Sequence, residues 1–112
     1  MARYVPDRGE IVWFTFDPQA GREQAGRRPA LVLSPALYNR RASLALVCPI
    51  TGHVKGYPFE VPLPKGLPVG GVVLADHVKS ADWRARRARF AGKVTESVLA
   101  EVTAKLRPLL GM

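Results

Sequence analysis

Three stretches of this chain hold residue types that can handle a phosphate. The first is Arg22-Glu23-Gln24-Ala25-Gly26-Arg27-Arg28, three guanidiniums and one carboxylate within seven residues. A guanidinium presents a planar fork of donors that matches a phosphate bidentately. Gly21 and Gly26 let the backbone bend close to a ligand. Arg27-Arg28-Pro29 then feeds into the apolar residues 30–34, so Arg28 is expected to be anchored at a strand mouth, with Arg22 on the free loop. An anchored guanidinium can hold a phosphate and stabilise charge that develops on it. The plain alternative is a solvated arginine surface.

The second stretch is residues 46–57, LVCPITGHVKGY. Thr51 leaves a strand end just after Pro49, and Gly52, His53 and Lys55 follow. The Thr51 hydroxyl can donate to a non-bridging phosphate oxygen, or it can cap a turn, a common use of Thr before Gly. His53 can act as acid or base near neutral pH, or sit on a solvated loop. The third stretch, residues 76–89, holds Lys79, Arg84, Arg86, Arg87 and Arg89 around Trp83. Cations for phosphates and a ring for bases suit single-stranded nucleic acid. A core role for Trp83 is the competing reading. The chain lacks a spaced carboxylate set for a two-metal nuclease and a Gly-rich phosphate loop before a helix. No metal or cofactor is therefore expected. Nuclease chemistry without metal needs an internal nucleophile, which the 2′-hydroxyl of RNA supplies and DNA lacks.

Composition narrows the partners. The 112 residues carry 17 Lys+Arg against 9 Asp+Glu, a net charge of +8. Such a balance favours a polyanion or an acidic protein over a neutral metabolite. Arg outnumbers Lys 12 to 5, a bias towards phosphate and base contacts. The single cysteine, Cys48, excludes an internal disulfide and a cysteine-based zinc cluster. No apolar run approaches the roughly 20 residues of a membrane span, and the first residues, Met1 to Asp7, lack the apolar stretch of a signal peptide. A cytoplasmic location without a membrane partner is the expectation, with one domain over residues 1–112.

These side chains must be positioned by short elements, because Pro and Gly punctuate the chain throughout. Apolar runs at 11–16, 30–34, 44–50, 59–63 and 71–75 read as strands, with a sixth at 87–94. A mainly β (α+β) fold follows, a small curled SH3-like barrel, since so many short strands cannot leave long open edges. Val98, Leu99, Val102, Leu106 and Leu109 recur at helical spacing, so a C-terminal helix is expected to cover the barrel. Thr95 is its N-cap, Val94 and Leu99 occupy staple positions, and Pro108 is expected to end it. A short helix over 80–86 is also expected. Residues 17–29 read as a long polar loop and 64–71 as a mobile connector.

Ordered blocks along the chain closely resemble the MazF (PemK-like) toxins. They include Tyr4-Val5-Pro6-Asp7, Phe16-Asp17-Pro18, Glu23-Gln24-Ala25-Gly26, Arg28-Pro29-Ala30, Val32-Leu33-Ser34-Pro35 and Tyr38-Asn39. Lys55-Gly56-Tyr57-Pro58-Phe59-Glu60-Val61, Leu74-Ala75-Asp76, Val78-Lys79-Ser80 and Trp83-Arg84-Ala85-Arg86 extend the match towards the C-terminal helix. The resemblance implies a PemK-like barrel working as a homodimer. It implies the toxin half of a type II toxin–antitoxin pair, a metal-independent endoribonuclease. Such an enzyme cuts single-stranded RNA, here near ACA-like triplets, and leaves 2′,3′-cyclic phosphate and 5′-hydroxyl ends. By the same resemblance Arg28 and Thr51 are catalytic and Glu23 is accessory. Arg22, Gln24, Arg27, His53, Lys55, His77, Lys79, Arg84 and Arg86 line the RNA path. The implied protein partner is an acidic, MazE-like antitoxin. The chain departs from the family pattern at Arg27, Gly52, His53 and His77. Two other readings stay open: a gyrase-poisoning toxin on the same barrel, and a non-catalytic RNA-binding barrel.

Overall fold

The computed structural model describes residues 4–16 and 26–112. Seven strands, β1 (Glu10–Phe16), β2 (Gly26–Val32), β3 (Ala45–Thr51), β4 (Glu60–Pro62), β5 (Val72–Leu74), β6 (Lys79–Ala81) and β7 (Arg89–Lys93), form one sheet. Its order is β4-β5-β3-β2-β1-β7, with β6 also paired to β3, and every pairing is antiparallel. Two helices complete the fold, α1 (Ala36–Ala42) and α2 (Glu96–Leu109). The mainly β class with a C-terminal helix is as expected. The ladder is open, because β4 and β7, its end strands, do not pair with each other.

The strands alternate faces, and each face has its own core. On one face Ile11, Leu31, Cys48, Ile50, Val61 and Val73 pack against Val98, Leu99, Val102 and Leu106 of α2. Those four lie along one stripe of the helix, which is why it docks there. Val94 and Leu99 are both buried in this core, as their staple positions imply. Thr95 is the N-cap by position, but its hydroxyl lies 3.0 Å from that of Ser97 rather than capping a backbone N–H. α2 runs one residue past Pro108, where the missing N–H costs only a bond in the last turn.

On the other face Val12, Phe14, Ala30, Val32, Ala45, Val47, Ala81 and Trp83 form the second core. Buried Asn39 of α1 closes it. Its Nδ2 donates to the Pro6 carbonyl at 2.8 Å and the Ser34 carbonyl at 2.9 Å. Trp83 Nε1 donates to the Asn39 carbonyl at 2.9 Å. The first turn of α1 is fastened from a distance, as Asp7 Oδ1 accepts from Ala36 N at 2.9 Å. No local pattern announced α1, because its cap and its anchor both lie elsewhere in the chain.

Four expectations need correction. β2 begins at Gly26, not at residue 30, because β1 extends to Phe16 and its backbone groups need partners. Arg27 and Arg28 therefore sit within a strand rather than at its mouth. The helix expected over 80–86 is β6 followed by a tight turn, in which Ala81 pairs with Ala45 and Arg87 adopts a left-handed φ of 53°. The connector at 64–71 is packed, with Val69 buried in the first core and Leu63 N bonded to the Gly71 carbonyl at 3.0 Å. The remainder of the polar loop, residues 17–25, lies outside the described residues.

Candidate active site

β2 and β3 are paired only at Ala30↔Pro49, Leu31↔Cys48 and Val32↔Val47. Beyond Ala30 and Pro49 the strands take different neighbours: residues 26–29 of β2 keep only β1, while Ile50 and Thr51 of β3 pair with β5. The register continued by two positions sets Arg28 opposite Thr51. Both belong to the face that carries Phe14, Ala30 and Val47, because opposed residues of an antiparallel pair share a face. The fork between β2 and β3 thus has a guanidinium on one wall and a hydroxyl on the other.

The Thr51 wall is built from several directions. Thr51 Oγ1 accepts a hydrogen bond from His53 N at 3.1 Å. This is the turn-capping role, and it leaves the hydroxyl hydrogen free to be donated. Gly71, at φ +108°, packs directly on the Thr51 carbonyl, and a Cβ there would fall 2.8 Å from the Thr51 carbonyl carbon and 2.9 Å from Gly52 Cα. Only glycine fits that approach. The following loop returns to β4 under three ties. Glu60 Oε2 accepts from Lys55 N at 3.0 Å, Glu60 Oε1 accepts from Gly56 N at 2.9 Å, and Lys105 Nζ donates to the Pro58 carbonyl at 2.6 Å.

Between loop and sheet lies a cavity of about 190 Å³ lined by Thr51, His53, Lys55, Tyr57, Glu60, Leu74 and His77. Four of the residues named from sequence meet here: Thr51, His53, Lys55 and His77. Sequence reading missed Tyr57, Glu60 and Leu74. The one available signal was Glu60, an acid among cations four residues after Gly56. The Lys55 ammonium lies 5.6 Å from the Tyr57 ring centroid, within cation–π range. His77 Nε2 is 3.8 Å from Asp76 Oδ1, an exposed pair that contributes little. Lys79 stands in β6 opposite Val47, on the same face as Thr51.

The arginine wall differs from expectation. The pinned guanidinium is that of Arg27, whose Nη1 donates to Thr15 Oγ1 and whose Nη2 donates to the Trp13 carbonyl at 3.0 Å and the Arg87 carbonyl at 3.3 Å. Arg28, one residue on, points to the opposite face; it is exposed and has no hydrogen-bond partner among the described residues. The reason is the pleat: extending β2 to Gly26 sends adjacent arginines to opposite faces. Arg27 lines a second, wide depression of about 680 Å³ with Tyr4, Trp13, Ala88, Arg89 and Phe90. Arg84 and Arg86 belong to the neighbouring turn, where the Arg86 carbonyl accepts from Thr15 N at 2.7 Å. The Trp83 ring is no platform: it is 5% exposed and buried in the second core, with the Arg84 guanidinium 4.9 Å from its centroid. Arg22, Glu23 and Gln24 lie outside the described residues.

Burial pushes the Cys48 thiol up to about 12 and so keeps it protonated, and the Asp76 charge adds to the shift. The Tyr4 phenol is also pushed up, first by burial and then by its 2.5 Å hydrogen bond to Glu10. Among the described residues no three His, Cys, Asp or Glu side chains come together as a metal site. No helix there is long and apolar enough to cross a membrane.

A small basic β-sheet with hydroxyl, imidazole and ammonium groups in one cavity, and a guanidinium across a strand fork, defines a protein built to receive a phosphodiester. Comparison with known proteins agrees. The chain belongs to the PemK-like, MazF-like toxins of type II toxin–antitoxin systems, whose family model matches residues 7–110. It is 50% identical over 111 residues to the endoribonuclease toxin MazF of Escherichia coli K12, covering 99% of each chain. It is 41% identical over 110 residues to the endoribonuclease toxin ChpB of the same strain, covering 93% of each. A MazE–MazF crystal structure from Deinococcus radiodurans superposes with a TM-score of 0.94 at 61% identity, covering 98% of this chain and 99% of that one.

Proposed function

We propose that this chain is a metal-independent endoribonuclease, the toxin of a type II toxin–antitoxin pair, that cuts single-stranded RNA at ACA-like triplets and so arrests translation. One observation carries the reading: in a chain of this family, Arg28 and Thr51 share a sheet face, each two residues beyond the last β2–β3 pair, and Thr51 lines a cationic cavity. The 2′-hydroxyl of one nucleotide attacks the adjacent phosphorus in line. The O2′–P bond forms and the P–O5′ bond breaks, giving a 2′,3′-cyclic phosphate and a 5′-hydroxyl. Arg28 meets the charge that grows on the phosphoryl oxygens, and Thr51 donates its free hydroxyl hydrogen to one of them. An arginine, with a pKa above about 12, is a poor base, so its part is electrostatic. His53, Lys55 and His77 grip the strand beside the scissile bond. Lys79, Arg84 and Arg86 extend the cationic path, and the family resemblance assigns Arg22, Glu23 and Gln24, which lie outside the described residues, to the same reaction.

The enzyme works as a homodimer in the cytoplasm. Its net charge of +8 suits an acidic, MazE-like antitoxin that covers the same cationic surface. Purified protein incubated with RNA in EDTA tests the reading. Fragments with 5′-hydroxyl ends are expected. Intact RNA, with trapped gyrase–DNA complexes in a parallel assay, would replace the nuclease with a gyrase poison. RNA that is bound but uncut would leave an RNA-binding barrel.

A further inference from the structure

Glu60 has no part in the chemistry above, yet it is one of three buried polar side chains among the described residues, with Ser34 and Asn39. A carboxylate taken out of water is costly unless its oxygens are satisfied. Here the partners are two consecutive backbone amides, Lys55 N at 3.0 Å and Gly56 N at 2.9 Å, one on each oxygen. The neighbouring Lys55 ammonium is directed to the Tyr57 ring instead. Gly56 holds φ +82°, a conformation that glycine adopts without the penalty of a side chain. The loop between β3 and β4 is exposed along residues 52–58, so this carboxylate is its internal support.

We infer that Glu60 is a positioning residue for RNA binding: by pinning the Lys55 and Gly56 amides it holds His53, Lys55 and Tyr57 around the cavity that Thr51 lines. The inference rests on the endoribonuclease reading and names what sets the grip of that site. A carboxylate beside a polyanion would ordinarily repel it. Turned onto two N–H dipoles, its charge is spent on the loop rather than presented to phosphate. Because the loop closes on His53, Lys55 and Tyr57 and not on Arg28, the pin governs binding more than the chemical step.

Glu60→Gln is the direct test. The carboxamide keeps one acceptor oxygen and sets its own N–H₂ against the second amide. Hydrogen exchange read by NMR on RNA-free protein should speed up by about tenfold or more at Lys55 and Gly56, the scale of a hydrogen bond to a charged group, with the Val47 amide unchanged. For a short oligoribonucleotide KM should rise about tenfold, with kcat held within about threefold. Kd for a 2′-deoxy analogue that cannot be cleaved should rise with KM. Gly56→Ala strains the same turn without touching the carboxylate and should give the same KM-selective loss; it also keeps the test open if Glu60→Gln fails to fold. An unchanged KM and Kd, or a loss confined to kcat, overturns the inference. Wild-type protein that binds the deoxy analogue but cuts no RNA would refute the nuclease reading alone, since exchange and Kd still report on the pin.

Discussion

The two walls of the β2–β3 fork are built in opposite ways. Thr51 is held by β5 beside it, by Gly71 packed on its carbonyl, and by the His53 N–H on its hydroxyl. Arg28 is exposed and has no hydrogen-bond partner among the described residues, while the adjacent Arg27 is tied to three oxygens on the opposite face. A donor fixed before substrate arrives costs no reorganisation during reaction. A long cation on a free stem must be ordered by the phosphate itself, at the expense of its rotamer entropy. On the proposed mechanism one wall is thus preformed, and the other is completed by the RNA.

Arg28→Ala should separate these roles most sharply. Single-turnover cleavage is expected to fall by about 10²–10³-fold, the loss seen for a single preorganised donor, equivalent to ~3–4 kcal/mol. The melting temperature should stay unchanged, because the side chain is exposed and makes no hydrogen bond among the described residues. Arg28→Lys should recover little, since an ammonium lacks the planar fork. Full activity in Arg28→Ala would end the proposed mechanism.

Thr51→Ala should slow cleavage by about tenfold to a hundredfold, the scale of a hydrogen bond to a charged group. Thr51→Ser should keep most of the rate, because the hydroxyl both caps the turn and donates. If both variants cleave equally well, the hydroxyl serves the turn alone.

Gly71→Ala attacks the preformed wall from behind. The new Cβ meets the Thr51 backbone at a φ that disfavours alanine, a strain of about 1–3 kcal/mol. Thermal melts should show that loss of stability, and cleavage should drop through displacement of Thr51. A variant as stable and active as wild type would mean that the close approach is not needed. Arg27→Ala should cost less, about 1 kcal/mol of stability for its hydrogen bonds, with cleavage reduced by less than tenfold.

The smallest effect concerns Cys48, which lies in the first core behind the cavity. With its thiol pushed up to about 12 by burial, it should resist alkylation in the folded protein at pH 8 and react only on unfolding. The raised value also sets a sign. The stability carried by the neutral thiol is fully present below about pH 9 and is lost as pH climbs towards 12. Rapid labelling of the native protein at pH 8 would contradict this.

Much of this molecule was legible in its residues. Alternating apolar strands, the stripe of Val98, Leu99, Val102 and Leu106, and the blocks shared with MazF-like toxins all follow from local pattern, because side-chain period and burial are properties of short segments. Thr51, His53 and Lys55 were likewise named from type and spacing and His77 through the family resemblance, and the four meet in one cavity. Other features needed the fold. Which of two adjacent arginines would be pinned depended on where β2 begins, and that was set by the length of β1 across the sheet. Trp83 became core rather than platform because Asn39, 44 residues earlier, offers its carbonyl to the indole N–H. α1 is fastened by Asp7, 29 residues before the amide it caps. Glu60, part of a shared block in the sequence, shows a role only where its oxygens meet the Lys55 and Gly56 amides. Backbone groups hidden from water must find partners wherever the chain brings one within reach, and that reach is decided by the tertiary structure alone.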